Sequence, residues 1–264
     1  MDLQLTDRTV IVTGASSGVG LAVTTMLLEE GAKVIALARD ADRLGAVVAD
    51  LGVDDSRVLS VSADVTDRAG VEAAVSRGAQ HFGTIDAAVC NAGRSLMAPI
   101  SETTDEQIRE ELELKVFGAW NVIRAARPHL AASPVGAVVN TNAILAKQPE
   151  AKLAITSAAR AALLNLTRTL GEELAPEGIR VNSVNLGLID TGQWRRRFDS
   201  YRAEGGDLDY DDWSDRIATD RGISLGRFGR AEEVAFAIVS LLSPRASYIT
   251  GAHVDVGGGV TRQP

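Results

Sequence analysis

The chain has 264 residues, enough for one large α/β domain or two small ones with a substantial buried core. Hydrophobic residues make up 45% and charged residues 23%, an ordinary globular balance that leaves little room for a disordered tail. Against 27 Lys and Arg stand 35 Asp and Glu, a net charge of −8 that argues against nucleic acid or an anionic membrane as main partner while leaving local basic patches open.

Short β-branched runs alternate with longer helical patterns along the whole chain. "RTVIVTG" predicts a first strand, residues 18–30 a helix, "KVIALA" a second strand, 40–51 a helix and "RVLSVSAD" a third strand. A helix at 67–81, the strand "IDAAVCNAG" and a long helix at 105–130 follow. Next come "GAVVNTN", a helix at 152–175, "IRVNSVNLG", a helix at 230–242 and a last short strand, "AHVDVGG". Unbroken apolar strands separated by crossover helices imply a doubly wound α/β fold, a single parallel sheet with helices on both faces. No linker divides the chain, so residues 1–264 are expected to form one domain. Residues 188–226 interrupt the alternation after a strand's carboxyl end, where a substrate lid would sit.

The single cysteine, Cys90, can form no internal disulfide, and no apolar segment with a basic flank precedes the first strand; the expected location is cytoplasmic. No apolar run reaches the roughly 20 residues that span a bilayer. No cluster of Cys, His or carboxylates has metal-ligand spacing, so no metal centre is expected.

"TGASSGVG" follows the first strand and opens the first helix, with Gly14, Gly18 and Gly20 in the pattern TGxxxGxG. Such glycines let the chain turn sharply and let a pyrophosphate approach free backbone N–H groups at the helix N-terminus, over Gly14, Ser16, Ser17, Gly18, Val19 and Gly20; the alternative is a glycine-rich turn that binds nothing. The second strand ends in "ALARD", with Ala38 where an NAD-selective protein usually has an acid and Arg39 beside it. Arg39 suits a 2′-phosphate and favours NADP(H) over NAD(H), unless it is only a solvated arginine at a strand end. Asp64 and Val65 are offered to an adenine ring, and Asn91, Ala92 and Gly93 stand beside the cofactor's ribose.

These motifs, followed by "IRVNSVNLG" with Thr191 beyond it and by the terminal "YITGAHVDVGGG", resemble the short-chain dehydrogenase/reductase family over nearly the whole chain. The resemblance implies a single Rossmann-like dinucleotide-binding domain over residues 1–264, a nicotinamide cofactor and a homo-oligomer, a dimer or a homotetramer. In tetrameric members the two long helices, here at 105–130 and 152–175, pack against a partner subunit. It also implies that Thr191 contacts the nicotinamide carboxamide and that Ile189 presents backbone groups to it.

The family's catalytic asparagine, serine, tyrosine and lysine correspond here to Lys115, Ala143, Thr156 and Arg160, so all four are changed. A threonine hydroxyl is a far weaker acid than a phenol, and Ala143 offers no hydrogen bond. Arg160 keeps a positive charge for the cofactor's ribose but exchanges protons poorly. Lys115, if desolvated near another cation, could act as acid, base or imine-forming nucleophile; equally it could fill the asparagine's space and bond backbone carbonyls. Tyr201 and Tyr210 lie in the insertion, either over the nicotinamide or as lid anchors, while Tyr248 reads as structural. His81, His129 and His253 fall away from the predicted site. Arg195, Arg196, Arg197 and Arg202 in the insertion either form a solvated face or clamp an anionic small-molecule substrate. Trp194 and Trp213 either anchor the lid or line the pocket.

Two readings of function result. One is an NADP(H)-dependent oxidoreductase acting on a carbonyl or alcohol, with Lys115, Thr156 and Arg160 orienting and polarising while water or substrate supplies the proton. The other is non-redox: a cofactor-binding pseudoenzyme, a partner subunit or a lyase-like enzyme using Lys115.

Overall fold

The computed structural model describes residues 2–54 and 56–261. Strands β1 (Thr9–Thr13), β2 (Lys33–Ala38), β3 (Val58–Ser62), β4 (Ala87–Cys90), β5 (Ala137–Ala143) and β6 (Arg180–Leu186) alternate with helices α1 (Gly18–Glu29), α2 (Ala41–Asp50), α3 (Arg68–Phe82), α4 (Asp105–Leu112), α5 (Gly118–Ala132) and α6 (Ala154–Glu173). After β6 come β7 (Ile189–Asp190), α7 (Gly192–Ala203), α8 (Tyr210–Asp220), β8 (Gly229–Arg230), α9 (Ala231–Leu242) and β9 (His253–Val256).

The main sheet has seven parallel strands in the order β3-β2-β1-β4-β5-β6-β9, a Rossmann-like α/β fold. Because side chains alternate along a strand, Val10 and Val12 of β1 enter one core with α1, α2 and α9, while Ile11 enters the other with α3, α5 and α6. Both cores are rich in Val and Ile, and each fully buried side chain of this kind contributes about 1.5–3 kcal/mol. The chain runs outward from β1 to β3 and returns to place β4 against the other side of β1. That reversal opens a crevice at the strands' carboxyl ends, where ligands bind in sheets of this kind.

Two sequence expectations are refined. The helix expected at 105–130 is interrupted by a π-helical segment, Glu113–Phe117, between α4 and α5. The segment expected to be irregular folds into α7 and α8, with β7 and β8 pairing as a two-stranded parallel ribbon. Its local signals are sound: Asp209 caps α8 by accepting from Asp212 N at 2.9 Å. The two helices meet through an aromatic cluster in which Trp213 touches Trp194, Phe198, Tyr201 and Tyr210. No helix among the described residues is long and apolar enough to cross a membrane.

Candidate active site

A cleft of ≈ 1470 Å³ lies at the carboxyl ends of the strands. Its floor is tied by Thr13, whose hydroxyl donates to Val89 O at 3.2 Å and accepts from Asn91 N and Ala92 N at 2.8 and 3.0 Å. Asn91 Nδ2 returns a 3.0 Å bond to Thr13 O, so the ends of β1 and β4 are locked side by side under the glycine turn.

The turn from β1 to α1 needs its glycines for two reasons. Gly18 sits at φ +53°, in the left-handed region. A Cβ on Gly20 would stand 2.2 Å from Gly14 O and 2.6 Å from Asn91 Nδ2, so Gly20 lets α1 pack directly on the turn. Ser17 precedes α1 without a side-chain cap bond, which leaves the helix's first N–H groups for another acceptor. Gly14, Ser16, Ser17, Gly18, Val19, Arg39, Asp64, Val65, Asn91, Ala92, Gly93, Arg160, Ile189 and Thr191 all border this one cleft. Gly20 does not border it; its part is the packing just described. Thr191 reaches across from α7, its methyl 3.4 Å from where a Gly18 Cβ would be.

At the end of β2, Arg39 is 70% exposed on its side chain and has only a distant ion pair, 3.9 Å, with Asp64. Asp40 caps α2 by accepting from Arg43 N at 2.9 Å. Arg43, not singled out from sequence, joins Arg39 on the cleft wall.

The four residues expected from sequence at the catalytic positions, Lys115, Ala143, Thr156 and Arg160, are brought close but not to one surface. Ala143 and Arg160 border the cleft. Arg160 donates to Thr141 O at 2.7 Å, and burial lowers its pKa to about 10, with Glu111 opposing. Thr156 is fully buried: its hydroxyl donates to Glu111 Oε2 at 2.5 Å and accepts from Leu96 N at 3.1 Å. Lys115, 2% exposed in the π-helical segment, donates to Glu111 Oε2 at 2.7 Å. Its pKa falls to about 8, chiefly through burial and then the charge of Arg160, while Glu111 opposes the fall. Lys115 borders a separate small cavity, ≈ 10 Å³, shared with Thr13, Cys90, Ala92, Thr141 and Arg160. Glu111 is the member of this cluster that sequence reading missed; the signal was there, a Glu four residues before a Lys on one helix.

The remaining proton carriers lie elsewhere. Tyr201 Oη accepts from Asp207 N and Leu208 N, and Tyr210 donates to Asp190, so both phenols tie the insertion together and neither borders the cleft. Tyr248 is fully exposed. His81 and His129 sit in the last turns of α3 and α5, and His253 lies in β9 beside Lys147. Among the described residues no group of His, Cys, Asp and Glu could hold a metal ion.

The insertion's arginines divide. Arg195 pairs with Asp190 at 2.8 Å and stacks on Tyr210, and Arg202 bonds Leu208 O. Arg196 and Arg197 border the cleft, as do Trp194 and Gln193.

Comparison with known proteins agrees with this architecture. The family profile described as "Enoyl-(Acyl carrier protein) reductase" matches residues 14–261. Cis-4-hydroxycyclohexanecarboxylate dehydrogenase of Sinomonas cyclohexanicum is 36% identical over 258 residues, 97% of each chain. An NADPH-bound short chain oxidoreductase of Pseudomonas aeruginosa PAO1, described as containing an atypical catalytic center, is 40% identical with a TM-score of 0.91, covering 98% of this chain and 100% of that one. L-sorbose reductase of Gluconobacter frateurii, complexed with NADPH and L-sorbose, is 34% identical with a TM-score of 0.94 over 100% of both chains.

Proposed function

Because the chain belongs to the short-chain dehydrogenase/reductase family of oxidoreductases, we propose that it interconverts a carbonyl compound and an alcohol with NADP(H), using buried Lys115 in place of a phenol to handle the proton. The observation that carries this reading is one cleft bordered by the glycine turn, Arg39, Asn91 and Arg160, with no tyrosine among the described residues that border it.

The residues present fit the cofactor. The pyrophosphate falls to the turn from Gly14 to Val19, where a Cβ at Gly20 would push α1 off its seat. Asp64 and Val65 serve the adenine, Arg39 and Arg43 the 2′-phosphate, and Asn91, Ala92, Gly93 and Arg160 the nicotinamide ribose. Ile189 and Thr191 hold the carboxamide. The relatives support NADP(H): two of the solved structures named above hold NADPH. The named substrates support the reaction class, since 4-hydroxycyclohexanecarboxylate is a secondary alcohol and L-sorbose a ketose.

A bound reduced nicotinamide supplies the hydride; the chain must then deliver one proton to the oxygen of the nascent alkoxide. Lys115 holds a transferable proton near neutrality. It does not reach the main cleft itself, but its small cavity also touches Arg160, which does. Thr141 Oγ1 and Arg160 Nε are buried without a protein partner, and both residues border that cavity, which is at the lower limit for one water. One water there serves both groups and carries the proton from Lys115 toward the cleft. Glu111 keeps Lys115 in place, Thr156 fixes Glu111, and the Arg160 guanidinium polarises the oxygen being protonated.

We also read residues 188–226 as a lid over the substrate half of the cleft, and the protein as a homo-oligomer. Phe117, 49% exposed between α4 and α5, supplies an apolar contact for a partner subunit.

The test is a titration with NADPH and separately NADH, followed by quenching of tryptophan emission, then a ketone and alcohol screen at 340 nm. Micromolar NADPH binding with turnover that Gly18→Asp abolishes supports the reading. No binding of either nucleotide removes it.

A further inference from the structure

The half of the cleft beyond Ala143 is bordered by four arginines, Arg94, Arg196, Arg197 and Arg221, and by one carboxylate, Glu150. Two of the arginines are already neutralised: Arg94 pairs with Glu110 at 2.7 Å, and Arg221 pairs with Glu150. Arg196 and Arg197 have no ion pair among the described residues. Arg196 is exposed, so water solvates it at little cost.

Arg197 is different. It is half-buried, and its guanidinium lies 4.4 Å above the Trp194 ring. Trp194 is itself clamped by Trp213 and Phe228, so the cationic fork has a fixed plane. Burial and then the neighbouring charge of Arg221 lower its pKa, and Glu150 offsets only part of this. A cation held partly out of water, with a like charge beside it and no acceptor on its N–H groups, is costly unless an anion completes it. Arg197, Arg221 and Glu150 together leave a single positive charge, which matches a monoanionic carboxylate rather than a phosphate dianion. A planar fork is also the geometry that receives a carboxylate with two parallel bonds.

We propose that Arg197, backed by Arg221, is a carboxylate-binding site, and that the substrate is an oxo acid or hydroxy acid whose reacting carbon lies toward Ala143 and Arg160. The identity of the ligand as a substrate rests on the oxidoreductase reading; carboxylate binding at Arg197 does not.

The experiment titrates cyclohexanecarboxylate and its neutral isostere cyclohexanecarboxamide into the protein, with and without NADPH, reading heat and tryptophan emission. The carboxylate is expected to bind at least about ten-fold more tightly, an advantage that shrinks as salt rises. Arg197→Met should abolish it. Arg221→Met should weaken it too, because Glu150, released, then neutralises Arg197. Arg195→Met, whose guanidinium is engaged by Asp190, should leave it intact. Equal binding of acid and amide, no carboxylate binding at millimolar concentration, or a preference that survives Arg197→Met overturns the site. Arg197-dependent carboxylate binding in a protein that fails to bind NADPH would sink the oxidoreductase reading alone. NADPH binding without any carboxylate preference would sink the carboxylate site alone.

Discussion

Lys115 Nζ lies 2.7 Å from Glu111 Oε2, and neither side chain is more than 4% exposed. A buried pair of this kind is held by its hydrogen bonds rather than by net Coulombic gain, and removing one partner leaves an expensive charge. Glu111 Oε2 also accepts from the Thr156 hydroxyl, so the two donors share one acceptor.

Burial lowers the Lys115 pKa to about 8, so under the proposed role the ammonium form would serve reduction and the neutral amine oxidation. Carbonyl reduction should therefore fall as pH rises through about 8, and alcohol oxidation should rise through the same point. Lys115→Met should remove both inflections and most turnover while NADPH affinity stays nearly unchanged. Glu111→Gln removes the group that favours the charged amine and should shift the inflection to lower pH. A pH-rate profile unchanged in Lys115→Met would leave that lysine with a packing role only.

Arg39 and Arg43 stand at the end of β2 with Asp40 tied into the α2 cap. Arg39→Ala should weaken NADPH binding by about ten-fold or more, the scale of one charge-assisted contact, and leave NADH binding nearly unaltered. Equal losses for both nucleotides would show that the arginine does not meet a 2′-phosphate.

Gly20→Ala places a methyl 2.2 Å from Gly14 O, a backbone atom that cannot swing aside. The variant should lose about 1–3 kcal/mol of stability, the usual range for overpacking, and bind nucleotide less well because α1 shifts. Chemical denaturation and the NADPH titration read the two effects separately. A fully stable Gly20→Ala protein would mean that the contact relaxes freely.

Burial pushes the Cys90 thiol up to about 12, and its Sγ faces Ala119 O at 3.7 Å. Since only the thiolate reacts, iodoacetamide at pH 8 should label the native protein roughly a thousand-fold more slowly than the unfolded chain. Rapid labelling of folded protein would reveal opening of the layer between β4 and α5.

The sequence was most legible where local pattern and tertiary role coincide. The apolar runs at 10–12, 34–38 and 87–90 are strands because only a sheet covered on both faces buries every residue of such a run. The glycine spacing announced the turn after β1, where Gly14 and Gly18 take positive φ. The helices of the insertion are mostly polar, so no long apolar stripe marks them; what stabilises them is the Trp194, Phe198 and Trp213 cluster, which joins α7 to α8. The π-helical turn at Glu113–Phe117 likewise escapes a periodic pattern, since one extra residue per turn disturbs the phase without breaking the helix.

Sequence alone determined the α/β class and the parallel sheet, and its motifs carried the likeness to the short-chain dehydrogenase/reductase family. These are local in the chain: a period of two or of 3.6, a glycine where φ is positive, a residue type at a fixed spacing. Only the tertiary structure decided that Thr156 turns away from the cleft to Glu111, that Arg197 rather than Arg195 borders the cleft, and that Lys115 is buried beside Arg160, which lowers its pKa to about 8. Burial, charge proximity and the sharing of one acceptor by two donors are properties of the space between elements, and no single segment carries them.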